Sequence, residues 1–585
     1  MYILGINPGH NGTAALLKDG KIIACISEER FSRLKNHVGF PHRSVQYVLQ
    51  FADIQSKDLD YVIFSTIGMG IGESGQVYDT FKSSYIDKSF AKRVFGNLTY
   101  KYPEFMDPII RLKHRQKAFK LERRRMKNLR EIANFLRISE EKIIYIDHHL
   151  SHALSPCFNL PQDKKTLVFS LDGEGDGLCA SVNIFDPQKK VLTRIAETPK
   201  SASLGYLYAL VTLYLGMKPN EHEFKVMGLA PYAKQEKVKE VYDLFKKIIW
   251  IEGLSFQSSF RMQYADSFLQ NHMKYLRFDS IAGAIQQLSE DLICQWVRNS
   301  IKKTGIDSIA LTGGVMMNVK ASQRIYAMPE VQELFVMPSA GDESTAIGAC
   351  FYGYKTFCDK NNVEMSLHPL NNLYLGPLYD DDAIGDFINK NNLVKKYFIK
   401  KPKDISKEAA KLLAKGEIVA RCSGRSEFGA RALGNRSILA NPNHPNTIKV
   451  LNETIKDRDF WMPFTPSILN EDAKDYILNP KKMYSPYMTL TFPSTKKAQE
   501  DLPAAMHPYD QTIRIQMVSK AWNPEYHALL KEFKRLTGIG GVLNTSFNLH
   551  GEPNVLTPED AIHTVENSAL KYLVLGNYLL EKKGK

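Results

Sequence analysis

Residues 166–184 read TLVFSLDGEGDGLCASVNI. Thr166–Leu171 and Cys179–Ile184 are apolar and rich in strand-forming residues, and between them Asp172–Gly177 is made only of acids and glycines. That pattern predicts strand, turn, return strand. The start of the chain repeats the plan. YILGI at 2–6 reads as a strand and NPGHNG at 7–12 as a turn. AALL at 14–17 and KIIACI at 21–26 flank a second turn, Lys18-Asp19-Gly20. A third glycine turn, Gly313-Gly314, follows the short strand 309–312 and precedes a helix predicted from Met316. Glycine lets backbone amides approach a phosphate with no Cβ in the way. Three such turns in this order predict two related halves of one fold with a nucleotide between them. Helices are predicted at 281–303 and 344–359. The Asn-, Pro- and Gly-rich stretch 360–378 places the main boundary, so the expected domains are 1–365 and 366–585, with a helical insertion at about 66–140.

Composition narrows the class. The chain has 585 residues, 44% apolar and 24% charged, which is ordinary globular usage and enough for two or three domains. No apolar run approaches the roughly 18 residues of a membrane-spanning helix. MYILGINPGH has no basic leader and is expected not to be a signal peptide. Seven scattered cysteines without a Cys-x-x-Cys pair read as reduced thiols of a cytoplasmic protein.

The formal charge is +14, and residues 111–130, RLKHRQKAFKLERRRMKNLR, hold ten Lys/Arg and one acid, Glu122. Leu112, Phe119 and Met126 recur every seven residues, so a helix with one apolar stripe is expected. The segment is either a solvated helix packed by that stripe or a docking surface for an acidic partner. Interleaved aromatics and nucleic-acid-binding signatures are missing, which argues against a nucleic-acid partner.

Two further segments carry chemistry. In Asp147-His148-His149-Leu150-Ser151-His152, His148 and His152 are spaced i, i+4 and share a helix face suited to one metal. His149 and His152, at i, i+3, form a competing pair. Asp342, in a turn before a helix, is a candidate third ligand. Further on, Gly424-Arg425 to Arg436-Ser437 places Arg425, Arg431 and Arg436 among glycines and hydroxyls. Lys456, Arg458, Arg514, Asn544 and Ser546 add donors. Arginines in such turns suit bidentate capture of phosphate or carboxylate.

These motifs, in order, resemble the NodU/CmcH-type carbamoyltransferase family, the group that includes the tobramycin carbamoyltransferase. The resemblance runs through Gly5-x-Asn7…His10, Glu28–Lys35, His148-x-x-x-His152, Leu171–Gly177 and Lys225–Tyr232. It continues through Gly313-Gly314-Val315-x-x-Asn318, Gly341–Glu343, Arg431–Ser437 and Leu543–Asn548.

The resemblance implies an α/β chain of two catalytic domains. The N-terminal one would be Kae1-like, of the actin/Hsp70/sugar-kinase (ASKHA) fold, and the C-terminal one YrdC/Sua5-like. It implies carbamoyl phosphate and ATP, with its Mg2+, as co-substrates, carbamoyl-adenylate as intermediate and a hydroxyl of a sugar, polysaccharide precursor or natural product as acceptor. His148, His152 and Asp342 would bind a divalent metal, Fe2+ by the match. Octahedral N/O ligation with open positions suits iron better than a closed zinc site. Asp172, Gly173, Gly175, Lys225, Gly313, Gly314 and Asn318 would hold the nucleotide. Arg425, Arg431, Arg436, Ser437, Lys456, Arg458 and Arg514 would grip phosphates, with Lys456 and Arg458 catalytic. Asn544 and Ser546 would orient the carbamoyl unit. His10 would act at the transfer centre, as general base or carbonyl polariser, with Lys35 near the carbamoyl oxygen. Where the family usually has Asp after this histidine, the chain has Asn11, which withholds a carboxylate partner from the imidazole. The competing expectations are a tRNA threonylcarbamoyl-adenosine-type enzyme and an inactive pathway scaffold. Joined domains argue against the first; the intact Lys456-x-Arg458 and His148/His152/Asp342 sets argue against the second. A homodimer and an acidic partner at 111–130 remain open.

Overall fold

The computed structural model describes residues 1–67, 75–76, 90–452 and 459–584. Lys456, Arg458 and the side chains of 111–126 lie outside the described residues. The protein is mixed α/β and divides into two compact units. One comprises Met1–Glu29 and Asn36–Leu370; the other comprises Arg30–Lys35 and Asn371–Lys585. The sequence reading did not foresee that Arg30–Lys35 joins the C-terminal unit.

Two five-stranded sheets build the N-terminal unit. The first contains β1 (Tyr2–Asn7), β2 (Thr13–Lys18), β3 (Lys21–Ser27), β4 (Tyr61–Phe64) and β5 (Ile143–Tyr145), in the order β3-β2-β1-β4-β5. The second contains β6 (Thr166–Gly175), β7 (Leu178–Asp186), β8 (Val191–Pro199), β9 (Ser308–Thr312) and β10 (Glu333–Val336), in the order β8-β7-β6-β9-β10. In each, three antiparallel strands are followed by two strands parallel to the first of the three. The shared topology is the duplication that the two strand–turn–strand segments predicted. Asp19-Gly20 and Asp176-Gly177 both take positive φ, as tight hairpin turns require.

Continuous burial explains why these strands read as apolar runs. Ile3, Leu4 and Ile6 of β1, and Leu167, Val168 and Phe169 of β6, are fully buried, because helices cover the parallel portions of a sheet. Helix Thr345–Asn361 lies so close to β1 that a Cβ at Gly5 would stand 2.0 Å from the Ala346 carbonyl oxygen. Helix Phe278–Thr304 buries Trp296 edge-on against Phe169 and Phe256 and ends on Gly305 in the left-handed region. The helix predicted from Met316 instead begins at Val319, because Asn318 caps it by accepting the Ala321 amide at 3.1 Å.

The C-terminal unit holds an eight-stranded mixed sheet. Its strands are β11 (Tyr397–Lys400), β12 (Val419–Cys422), β13 (Arg436–Ala440), β14 (Thr465–Leu469), β15 (Gln516–Val518), β16 (Gly541–Ser546), β17 (Tyr572–Leu575) and β18 (Tyr578–Lys582). They lie in the order β11-β18-β17-β12-β13-β16-β14-β15. Ala420, Ile438, Leu543, Leu573 and Leu580 belong to its core. Helix Pro558–Glu566 starts at a reciprocal cap between Thr557 and Asp560. Among the described residues no helix is long and apolar enough to cross a membrane. All seven cysteines are buried free thiols.

Candidate functional site

Helix His148–Leu154 follows directly on β5 and is started by Asp147, whose carboxylate accepts the Leu150 amide at 2.8 Å and pairs with Arg194. One helical turn brings His148 and His152 to the same face, with ring centroids 4.7 Å apart. His148 Nε2 lies 3.4 Å from Asp172 and 3.6 Å from Asp342. His152 Nε2 lies 3.9 Å from Asp172 and 3.4 Å from Asp342. One ligand atom from each of the four residues falls within 4.8 Å of the others. Asp172, expected in the nucleotide cradle, therefore stands among the metal donors. Its second oxygen accepts the Gly314 amide at 3.0 Å. The competing histidine points elsewhere, with His149 Nδ1 on the Ser170 hydroxyl at 2.5 Å.

The donor set fits a divalent metal. Both ring nitrogens of His152 are buried without a hydrogen-bond partner, a costly state for polar atoms unless something else binds them. Two imidazoles and two carboxylates are hard-to-borderline ligands suited to a first-row divalent ion. Supporting contacts fix the frame. Asp176 accepts the His148 amide at 2.9 Å and also holds the Thr66 hydroxyl and the Ile67 amide. Gly175 gives the His148 ring its room, since a Cβ there would stand 2.0 Å from Cδ2.

Charge in the cluster is finely divided. Burial disfavours the His148 imidazolium, yet Asp342, Asp172 and Asp176 outweigh it and raise that group to about 9. Burial and the neighbouring His148 push His152 down to about 3. Asp342 rises to about 6 through burial and the adjacent Asp172. Asp172 is held low: burial opposes its charge, but the hydrogen bond with His148 and the other histidines overcome that. A cation between the carboxylates would offset their repulsion.

His10 joins this edge of the unit. Asn7 closes its turn, donating to the His10 carbonyl at 2.7 Å and accepting the Gly9 amide at 3.0 Å. His10 Nδ1 lies 3.9 Å from Asp342, and its Nε2 is buried without a partner. Asn11, at φ 54°, turns away from the imidazole and donates to the buried carboxylate of Glu343 at 3.1 Å. Burial raises Glu343 to about 7, so an aspartate at position 11 would face a second carboxylate. Gly313, at φ 95°, has no room for a Cβ: one would meet the Leu171 carbonyl at 2.3 Å. Gly314 is confined less tightly, by the Asp172 carboxylate, from which a Cβ would stand 2.7 Å. Asn318 forms a reciprocal amide pair with Gln286, each bond 3.0 Å, and Tyr208 fixes Gln286 in turn. Gln286 gave no sequence signal, because a glutamine in a helix usually faces water. The Gly173 carbonyl accepts from Ser203 at 2.7 Å. Lys225 lies in helix Glu223–Leu229. Lys35 falls in the segment that packs with the C-terminal unit.

In the C-terminal unit the arginine-rich motif divides into two kinds of residue. Arg436, 1% exposed, aims its guanidinium at the carbonyls of Leu556, Ser423, Gly424, Asn435 and Pro377. It is a clamp on the fold, and its expected place on a phosphate is corrected accordingly. Ser437 is buried and accepts the Gly434 amide at 3.0 Å. Arg425 donates to the Gly376 and Leu375 carbonyls at 3.0 and 2.7 Å. Arg431 and Arg514 are partly exposed. Asn544, on β16, donates to Ala432, Ser467 and Gln516 while its side-chain oxygen Oδ1 is buried without a donor. Ser546 donates to Asn548 at 2.6 Å. The sequence reading missed Glu427. Its Oε1 accepts the amides of Leu433, Asn435 and Arg436 at 2.7–3.2 Å and shapes the turn that carries the motif.

Comparison with known proteins agrees with the motifs. Residues 2–351 match the family described as Carbamoyltransferase N-terminus, and residues 410–582 match Carbamoyltransferase C-terminus. Nodulation protein NolNO of Sinorhizobium fredii is 29% identical over 98% of this chain and 79% of its own. A protein of Methanocaldococcus jannaschii is 32% identical over 99% of both chains. The 3'-hydroxymethylcephem-O-carbamoyltransferase of Amycolatopsis lactamdurans is 25% identical over 75% of this chain and 80% of its own. Among solved structures, (R)-2-hydroxyglutaryl-CoA dehydratase component A of Acidaminococcus fermentans covers 61% of this chain and 98% of its own. It is 15% identical at TM-score 0.32, too distant to bear on fold or function. The two matched domains and the motifs that run through both place the chain in the carbamoyltransferase family of enzymes.

Proposed function

We propose that the protein is an ATP-dependent O-carbamoyltransferase of the cytoplasm. The observation that carries the reading is the four-donor cluster of His148, His152, Asp172 and Asp342, with His152 unsatisfied, in a chain whose two domains match this family. In the proposed first step, carbamoyl phosphate, ATP and water give carbamoyl-adenylate, phosphate and pyrophosphate. The C-terminal unit, read as YrdC/Sua5-like, would carry that step. In the second, the oxygen of an acceptor hydroxyl attacks the carbamoyl carbon and AMP leaves. The N-terminal unit, read as Kae1-like with the ASKHA fold, would carry this transfer to a sugar, polysaccharide precursor or natural product.

The residues suit these steps. Arg431, Arg514, Lys456 and Arg458 would offset charge on the phosphates, and Lys35 would hold the carbamoyl oxygen. The orphan side-chain oxygen Oδ1 of Asn544 matches the N–H of a carbamoyl group. The imidazole of His10, with Nε2 unpartnered, would take the proton of the acceptor hydroxyl. Gly313, Gly314 and Asn318 would cradle the nucleotide, leaving Asn318 one amide hydrogen beyond the pair with Gln286. A divalent ion held by His148, His152, Asp172 and Asp342, iron by the resemblance, would supply charge stabilisation for the phosphate oxygens; Mg2+ would accompany ATP.

The test uses the iron-loaded protein with carbamoyl phosphate, ATP and Mg2+. Pyrophosphate release is expected without an acceptor, and AMP release with hydroxyl acceptors drawn from glycans and nucleotide sugars. Lys456→Ala should abolish the first, whereas His10→Ala should keep it and lower AMP release by about 100-fold or more. Absence of both products from the native chain refutes the proposal.

A further inference from the structure

Helices Phe90–Lys101 and Pro103–Leu136 form most of the described insertion, and each end is anchored. Near the start, Phe95 packs on Tyr264 and Tyr100 on Phe260, Met106 and Ile110 are buried, and Asp107 pairs with Arg261 at 2.8 Å. At the far end, Ile132, Ala133 and Leu136 enter the core with Phe40 and Phe64. The long helix spans about 50 Å at 1.5 Å per residue.

The outward face is different. Val94 and Leu98 lie one turn apart on the first helix and are 40% and 42% exposed. Tyr102, Phe105 and Ile109 follow at 59%, 74% and 40%. Five large apolar side chains within sixteen residues face outward although both helices already have an apolar inner face. Ten Lys/Arg against one acid then follow along the same helix at 111–130.

We infer that this insertion docks the protein on an anionic lipid surface, lying on the membrane. Aromatic and aliphatic side chains enter the headgroup–acyl boundary, while an adjacent polybasic stretch is attracted to anionic headgroups. Either signal alone holds weakly, and the two together hold stably. A second copy fits less well, because symmetric pairing through the stripe would draw two strongly cationic segments together. A plain polyanion accounts for the lysines and arginines and leaves the exposed Phe105 and Ile109 without a role.

The experiment is sedimentation of the full chain with vesicles of phosphatidylcholine alone or with about one-third phosphatidylglycerol, alongside its native mass in solution. Binding is expected on the anionic vesicles only, falling at least fivefold in 0.5 M salt. Phe105→Ser/Ile109→Ser and Arg123→Glu/Arg124→Glu/Arg125→Glu should each lose at least fivefold in bound fraction with unchanged melting temperature. No binding to anionic vesicles, or equal binding to neutral ones, overturns the inference. So does full binding by the serine variant with loss in the glutamate variant, the signature of a polyanion site. A dimer that the serine variant dissolves would assign the stripe to a second copy and overturn it too.

Discussion

Gly175 shows how one residue sets the centre. Its missing Cβ leaves the space that the His148 ring occupies, since an added methyl would stand 2.0 Å from Cδ2 and 2.3 Å from Cγ. Neither the ring nor the backbone can yield freely, because Asp176 holds the His148 amide and Asp172 touches its Nε2. Gly175→Ala should therefore turn His148 out of the donor set. Bound iron, read by elemental analysis after loading, should fall about 10- to 100-fold, as when outer contacts of a ligand are lost. Gly173→Ala meets nothing within 4 Å and should retain the metal, so equal iron in both variants would refute this account. The histidine pair was legible because a helix repeats in space every three to four residues. Asp172 was not, because its place depends on where the end of β6 meets helix His148–Leu154, a meeting of distant segments that local spacing does not encode.

At the scale of the element, the turn between β12 and β13 is organised by two buried charges. Glu427, 2% exposed, collects three backbone amides on one oxygen, and Arg436 crosses to the Leu556 carbonyl. A glycine-rich loop with arginines offers the same donors to backbone carbonyls as to a phosphate, which is why the sequence suggested anion binding at Arg436. The strands themselves were easier to see: β1 and β6 are apolar on both faces and bounded by turn residues. Glu427→Ala would strand three buried amides and should cost about 3 kcal/mol or more in denaturant unfolding. Glu427→Gln keeps a carbonyl acceptor and should lose less than half of that. Equal stability of both variants and the native chain would show that the turn holds without the carboxylate.

Across the whole molecule, the duplicated sheet plan was legible from the two strand–turn–strand segments, but the path of the chain through its units was not. A linear boundary near 365 assumes that neighbours in sequence pack together; Arg30–Lys35 breaks that assumption. Within the C-terminal unit, Arg30 donates to the Gly429 carbonyl at 2.7 Å. Arg33 donates to Pro553 and Asn554 at 2.8 Å and lies 3.5 Å from both Glu552 and Asp560. Its backbone sits at φ 59°, an unfavourable region for arginine that costs about 1 kcal/mol or more unless contacts hold it. Asp560 also caps helix Pro558–Glu566, so Arg33 bears on the start of that helix. Removing the guanidinium leaves two carbonyls and two carboxylates without their shared cation, a loss of about 1.5–3 kcal/mol. Arg33→Ala in the full chain should therefore speed amide hydrogen exchange across 552–566 by about 10- to 100-fold, while exchange at 166–184 stays as in the native chain. Exchange that rises equally in both segments would mean global destabilisation, and unchanged exchange at 552–566 would mean that the segment merely rests on a unit already complete without it.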